Sequence, residues 1–153
     1  MVKVVIMQGV PGSGKSSYVK SLRPVATVVC SADTFFESWS PETGATYNFD
    51  PSKLGEAHGE CLLSFVDAME YANQDGDTVV VDNTNTTAME IAPYMALANA
   101  YGCEVEIVRV QCDPEIAAAR NIHGVPLASI RRMADNIANF HAPPFWRFKL
   151  TEV

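Results

Sequence analysis

Residues 9–16 read Gly-Val-Pro-Gly-Ser-Gly-Lys-Ser, directly after the β-branched apolar run Lys3–Gln8 (KVVIMQ). A short segment with helical spacing follows, Ser16 to Leu22, and must stop before Pro24. Strand, glycine-rich loop and helix in this order constrain the chain more than any other feature. The spacing, Gly9, four residues, then Gly14-Lys15-Ser16, is that of a phosphate-binding loop. Gly9, Gly12 and Gly14 let the backbone turn so that successive amides converge on a polyphosphate. Lys15 is suited to the β- and γ-phosphates and Ser16 to Mg²⁺, with the positive end of the helix behind them. Gly9, Pro11, Gly12, Ser13, Gly14, Lys15, Ser16 and Ser17 are therefore the nucleotide-binding candidates.

Strand-like and helix-like stretches alternate along the rest of the chain, which argues for a mostly parallel sheet with helices on both faces. The expected strands after the first are Val25–Cys30, Thr78–Val81 and Val105–Val110, with an edge strand over Phe145–Leu150. The expected helices are Pro51–Ala72, Thr86–Tyr101 with Gly102 as its stop, Asp113 to about Asn121, and the stretch from Pro126 to about Phe140. Gln74–Asp77 reads as a turn, and Ser31–Asp50 as a loop or short helix over the site. The expectation is one three-layer α/β domain over residues 1–153, with four to five strands. Ligands bind at the carboxyl edge of such a sheet.

Three groups follow expected strands on that edge. Asp33 lies after the second strand, where a carboxylate can orient an acceptor hydroxyl and take its proton; it can equally cap the next turn. Asp82 ends Val-Val-Val-Asp, a second nucleotide motif in which the carboxylate holds Mg²⁺, usually through water. Asn83, Thr84 and Asn85 either contact the acceptor or γ-phosphate or cap the helix that starts near Thr86. Arg120 precedes the break His123–Pro126, a place from which a mobile segment can bring an arginine to the transferred phosphoryl group; a surface arginine at a helix end has the same sequence signature. For His58 and His123 a polar or packing role is expected. The aromatics Phe35, Phe36 and Trp39 either stack on a base or cover a core edge.

The net charge is −7, which disfavours a nucleic-acid partner unless it uses the C-terminal half or is a short single-stranded end. Between Ser31 and Ile91 the only basic residue is Lys53, whereas Arg109, Arg120, Arg131, Arg132, Arg147 and Lys149 follow. Arg131 and Arg132 are the acceptor-phosphate candidates. No apolar run is long enough to span a membrane. Four cysteines with no metal-finger spacing read as reduced thiols, hence a cytoplasmic protein, in the host cytoplasm if phage-encoded.

With these residues in place, the chain resembles the polynucleotide-kinase-like phosphate-loop family, AAA-type predicted ATP-dependent kinases. They occur as stand-alone phage and bacterial proteins and as domains of larger animal proteins. The resemblance covers nearly all of residues 1–140 and rests on GVPGSGKS, SADTFF, YNFDPSKLGEAHGEC, VVVDNTNTTAMEIAPY and RNIHGVPLASIRRM in that order. It implies ATP and Mg²⁺ on Lys15 and Ser16, Asp33 as general base and Arg120 as a lid arginine. It also implies a 5′-hydroxyl polynucleotide end as acceptor. Small-molecule hydroxyls (nucleoside, sugar or antibiotic) are the alternative, and a nucleotide-dependent switch or adaptor is the non-enzyme one. The departures lie on the acceptor side. Phe36 stands where the phage end-healing enzyme has an acceptor-binding arginine, His123 where it has a second lid arginine, and Asn83 where it has an aspartate.

Overall fold

The computed structural model describes residues 1–22, 27–72 and 76–153. Its centre is a five-stranded, wholly parallel sheet of β1 (Lys3–Gln8), β2 (Thr27–Cys30), β5 (Thr78–Val81), β6 (Glu104–Arg109) and β7 (Lys149–Glu152). Their order across the sheet is β2-β5-β1-β6-β7. β1 is the middle strand, paired with β5 from Lys3↔Thr78 and with β6 from Lys3↔Glu104. It is covered on both faces, which is why it reads as an unbroken apolar run rather than an alternating one.

Alternate side chains of the central strands feed two cores. Val4, Ile6, Val79, Val81, Val105 and Ile107 pack with α2 (Leu54–Tyr71) and α3 (Ala88–Ala100) through Ala57, Cys61, Phe65, Ile91 and Met95. Val5, Met7, Val80 and Val108 pack on the opposite face with Val19 of α1 (Lys15–Ser21). Burying one such side chain contributes roughly 1.5–3 kcal/mol, so the sheet centre is the main source of stability. A third, smaller cluster joins Val10 of the loop to Ala117 of α4 (Pro114–Arg120) and Ile130 of α5 (Leu127–Ala138).

Helix starts follow local chemistry. Thr87 and Glu90 form a reciprocal capping box for α3. Asp113 Oδ1 accepts from the amides of Glu115 (2.9 Å) and Ile116 (3.4 Å), with Pro114 as first residue of α4.

Two expectations need correction. Residues 31–50 form a 3-10 turn over Ala32–Phe36 and then a two-stranded antiparallel hairpin, β3 (Glu37–Ser40) and β4 (Gly44–Tyr47). Pro41 and Gly44, with a positive φ of 70°, mark its turn. Its strands are short and mostly polar, so they carry no hydrophobic periodicity. The last strand also begins later than expected, at Lys149 instead of Phe145. Arg147 N donates to Asn99 Oδ1 and Asn99 Nδ2 donates to Arg147 O, both at 3.0 Å, so this stretch is tied to the end of α3. Trp146 and Phe148 pack against the main core from there. Residues 25 and 26 of the expected second strand and residues 74 and 75 of the expected 74–77 turn lie outside the described residues.

Candidate active site

The phosphate loop is welded to the strand beside it. Gly9 N donates to Thr84 O at 3.0 Å, and Asn85 Nδ2 donates to Met7 O at 2.7 Å. Gln8 Nε2 returns a bond to Asn85 O at 3.0 Å. Gln8 and Asn85 are both buried, and Asn85 takes φ 47°, a left-handed conformation that asparagine tolerates better than most residues. Asn85, a candidate for acceptor contact, thus has its amide turned into the core. Beyond it the loop needs glycine for two reasons. At Gly12, with φ 80°, an added Cβ would lie 2.1 Å from Ala117 O of α4. Gly14, with φ 105°, opens α1 and offers no side-chain acceptor to its first amides.

Lys15 Nζ donates to the carbonyls of Gly9 (3.0 Å) and Val10 (2.9 Å), folding back over the loop. Burial pushes its pKa below the usual lysine range, while the charges of Asp82 and Asp33 push it up. Both carboxylates therefore act on the loop lysine. The buried Ser13 Oγ has no protein partner among the described residues. Pro11 is half-buried, and Ser16 and Ser17 are exposed. A glycine-lined cradle with a half-buried lysine, uncapped helix amides and an unpartnered hydroxyl fits a polyphosphate.

Asp82 follows β5, and its amide donates to Cys30 O of β2 at 2.8 Å. Burial raises its carboxyl pKa above the usual range; Lys15 opposes this and Asp33 adds to it. Asp33 sits on the turn after β2. Ser31 Oγ accepts from Asp33 N at 3.2 Å, and Asn83 Oδ1 accepts from Ala32 N at 2.9 Å. Asn83, the other amide candidate, thus holds the turn that carries Asp33. Among the described residues no group of three His, Cys, Asp or Glu is arranged to hold a metal ion. The residues that would hold Mg²⁺ are of the loop kind, the Ser16 hydroxyl and the Asp82 carboxylate, together with phosphates of a bound nucleotide.

Tyr47, the last residue of β4, was not legible as a site residue. Its hydroxyl donates to Asp33 Oδ1 at 3.1 Å. Burial and the charge of Asp33 raise its pKa to about 12. Tyr47 opens the YNFDPSKLGEAHGEC stretch on which the resemblance rests, but that stretch assigns it no role; the Pro41–Gly44 turn, which sends the chain back toward Asp33, is the other clue. Phe36 is buried among Phe35, Tyr47 and Phe49, whereas Trp39 stands 72% exposed on the hairpin.

Arg120 ends α4 and is exposed. The break after it is ordered by Asn121, whose Nδ2 donates to Val125 O at 3.0 Å and whose Oδ1 accepts from His123 N at 2.9 Å. The His123 ring lies 4.4 Å from that of Tyr47, tilted by 44°. Arg131 pairs with Glu115 of α4 at 2.8 Å, both side chains exposed, and Arg132 is exposed.

Several known proteins are similar to this chain. NEDD4-binding protein 2 of Homo sapiens is 32% identical over 147 residues, covering 92% of this chain and 8% of that protein. YLP motif-containing protein 1 of Homo sapiens is 28% identical, over 87% of this chain and 7% of that protein. The chain thus spans less than a tenth of these relatives' length. A UPF0200 protein of Saccharolobus islandicus is 30% identical over 79% of this chain and 64% of its own. Among solved structures, Chaetomium thermophilum Kti12 in complex with ADP-AlF3 superposes with a TM-score of 0.58 at 14% identity, covering 98% of this chain and 88% of that one. The Pnkp1/Rnl/Hen1 complex gives a TM-score of 0.58 at 18% identity, over 77% and 38%. At these identities the structural likeness speaks for the fold. The AAA domain family matches residues 4–123, from β1 through the phosphate loop to His123, and the chain belongs to that family as a kinase-like phosphate-loop domain.

Proposed function

We propose that the protein is an ATP-dependent kinase that moves the γ-phosphate of ATP to a hydroxyl, foremost the 5′-hydroxyl of a polynucleotide end. The observation that carries this reading is the convergence of Lys15, Asp33 and Asp82. Lys15 opens α1 beyond β1, Asp82 follows β5 and Asp33 lies on the turn after β2, three neighbouring strands, and both carboxylates act electrostatically on the ammonium. A nucleotide switch has no use for the exposed carboxylate of Asp33 beside its phosphate loop; a kinase needs one to orient the acceptor and take its proton.

In this reading the loop amides and Lys15 hold the β- and γ-phosphates. The acceptor oxygen bonds to Pγ, its proton passes to Asp33, and the bond from Pγ to the bridging oxygen breaks to leave ADP. Arg120 meets the charge that develops on the transferred group. Ser16 and Asp82 would hold Mg²⁺, which would supply neutralisation of phosphate charge. The ADP-AlF3 in Kti12 supports nucleotide binding in a chain of the same fold. The four free thiols support a reducing compartment, and we place the protein in the cytoplasm.

A small-molecule acceptor is the second reading, and specific observations favour it. Phe36 is buried rather than presented to an acceptor phosphate, and Arg131 already has a carboxylate partner. Transfer of labelled γ-phosphate from ATP to 5′-hydroxyl DNA, 5′-hydroxyl RNA, nucleosides and small alcohols separates the two. Preference for an oligonucleotide over its free nucleoside supports the first reading, and the reverse supports the second. Transfer to none of them removes both.

A further inference from the structure

We propose that Tyr47 is a positioning residue that holds the Asp33 carboxylate for the acceptor and links it to the lid through His123. The inference rests on the kinase reading and names a residue outside the resemblance's catalytic set.

Asp33 is exposed on a five-residue 3-10 turn, where a carboxylate has little to fix its rotation. Among the described residues the side chain bonded to it is that of Tyr47, at 3.1 Å on Oδ1, which leaves Oδ2 for the acceptor hydroxyl. Tyr47 is itself held from two directions. β4 pairs it with Glu37 across the hairpin, and its ring meets the buried Phe36 ring edge-on at 6.1 Å. The next residue, Asn48, closes the hairpin onto the turn through its amide to Phe36 O at 2.9 Å. The Tyr47 phenol keeps its proton at neutral pH, being raised to about 12, so it acts as a fixed donor while the acceptor's proton goes to Asp33.

The same ring faces the lid. His123 lies 4.4 Å away, three residues after Arg120, and Gly124 with φ 70° completes the break. The base and the Arg120 segment therefore share one aromatic ring. Placement of the lid against Tyr47 and alignment of Asp33 are a single event in this geometry, so the acceptor is committed only when the arginine is near. The lone alternative is that Tyr47 merely packs against Phe36.

The two roles separate in steady-state kinetics with ATP and two probe acceptors run in parallel, a 5′-hydroxyl DNA oligonucleotide and thymidine. Tyr47→Phe keeps the ring and loses the hydroxyl. It should lower kcat roughly tenfold, the order expected for one hydrogen bond to a charged group, with both KM values and the melting temperature unchanged. His123→Ala should raise the acceptor KM and leave that for ATP unchanged. In an Asp33→Asn background Tyr47→Phe should add no further loss, because it acts through Asp33. A Tyr47→Phe enzyme with wild-type kcat, or equal losses with and without Asp33, overturns the inference while the kinase reading stands. Wild-type protein that phosphorylates neither probe, nor any acceptor of the wider panel, fails the kinase reading instead and takes this inference with it.

Discussion

The two sides of the active edge are built differently. On the proposed nucleotide side, Gln8, Ser13 and Asn85 are buried, the start of the loop and the end of β1 are hydrogen-bonded to Thr84 and Asn85 beyond β5, and α4 lies against Gly12. On the proposed acceptor side, the hairpin β3–β4 is held by polar contacts such as Ser38 Oγ with Thr46 Oγ1 at 2.6 Å, and Trp39, Arg120, His123 and Arg131 are exposed. A phosphate cradle works through backbone amides, so its geometry has to be fixed by the core. An acceptor site works through side chains on short elements, which can change without unfolding the sheet. The first kind of site tolerates little substitution; the second can be rebuilt for a different hydroxyl.

The largest expected contrast is chemical. Lys15→Ala should cut transfer by about a thousandfold or more in a protein that still folds, since no other cation lies in the loop to meet phosphate charge. Circular dichroism checks the fold and labelled-phosphate transfer the loss. Near-normal transfer would break the assignment of the loop. Next comes stability. Asn85→Ala removes the bond to Met7 O and puts alanine at φ 47°, and should cost about 3 kcal/mol in urea unfolding. A loss below about 0.5 kcal/mol would mean that the weld between β1 and β5 does not matter.

A subtler effect belongs to Asp82. Its carboxyl pKa is raised above the unfolded value, so protonation favours the folded state. The penalty for ionising it is absent below the unfolded value of 3.8 and grows as pH rises through the folded one. Asp82→Asn should therefore raise the melting temperature of the ligand-free protein at pH 7, and the gain should fade toward pH 3.8. A destabilised variant at pH 7 would mean that attraction to Lys15 outweighs desolvation. The smallest expected effect is on the outer side. Arg131→Ala should change stability by less than about 0.5 kcal/mol, because its pair with Glu115 is exposed. If the acceptor is a polynucleotide, Arg131→Ala or Arg132→Ala should flatten the salt dependence of its binding and leave ATP affinity unchanged. Unchanged slopes in both point to a small-molecule acceptor.

The same division governs what the sequence made legible. β1 and β5 begin and end where their apolar runs do, and the caps at Thr87 and Asp113 follow from their side chains. Two-faced burial and capping leave strong local marks. Ser31–Asp50 reads as a loop or short helix, and the 3-10 turn Ala32–Phe36 is there, but Glu37–Ser40 and Gly44–Tyr47 bury little, so the pairing of the hairpin leaves no period to find. Tyr47 escaped for the same reason, since its partners Asp33 and His123 are distant in sequence and meet only once the hairpin forms. Asn85 reads from sequence as an acceptor contact or a helix cap, whereas Thr87 caps α3 and Asn85 ties the end of β1 to the segment beyond β5. What decides its role is the left-handed backbone and the bond to Met7 O, neither of which a sequence displays.

The central claim is that Asp33 serves the acceptor while the loop serves ATP. It is tested most directly by Asp33→Asn, with ATP affinity measured by titration and transfer measured in a single turnover at saturating ATP. The account predicts unchanged ATP affinity and a transfer rate lower by about a hundredfold or more, the usual contribution of a positioned general base. Weakened ATP binding with wild-type transfer at saturation would contradict it, and would make Asp33 a nucleotide residue instead.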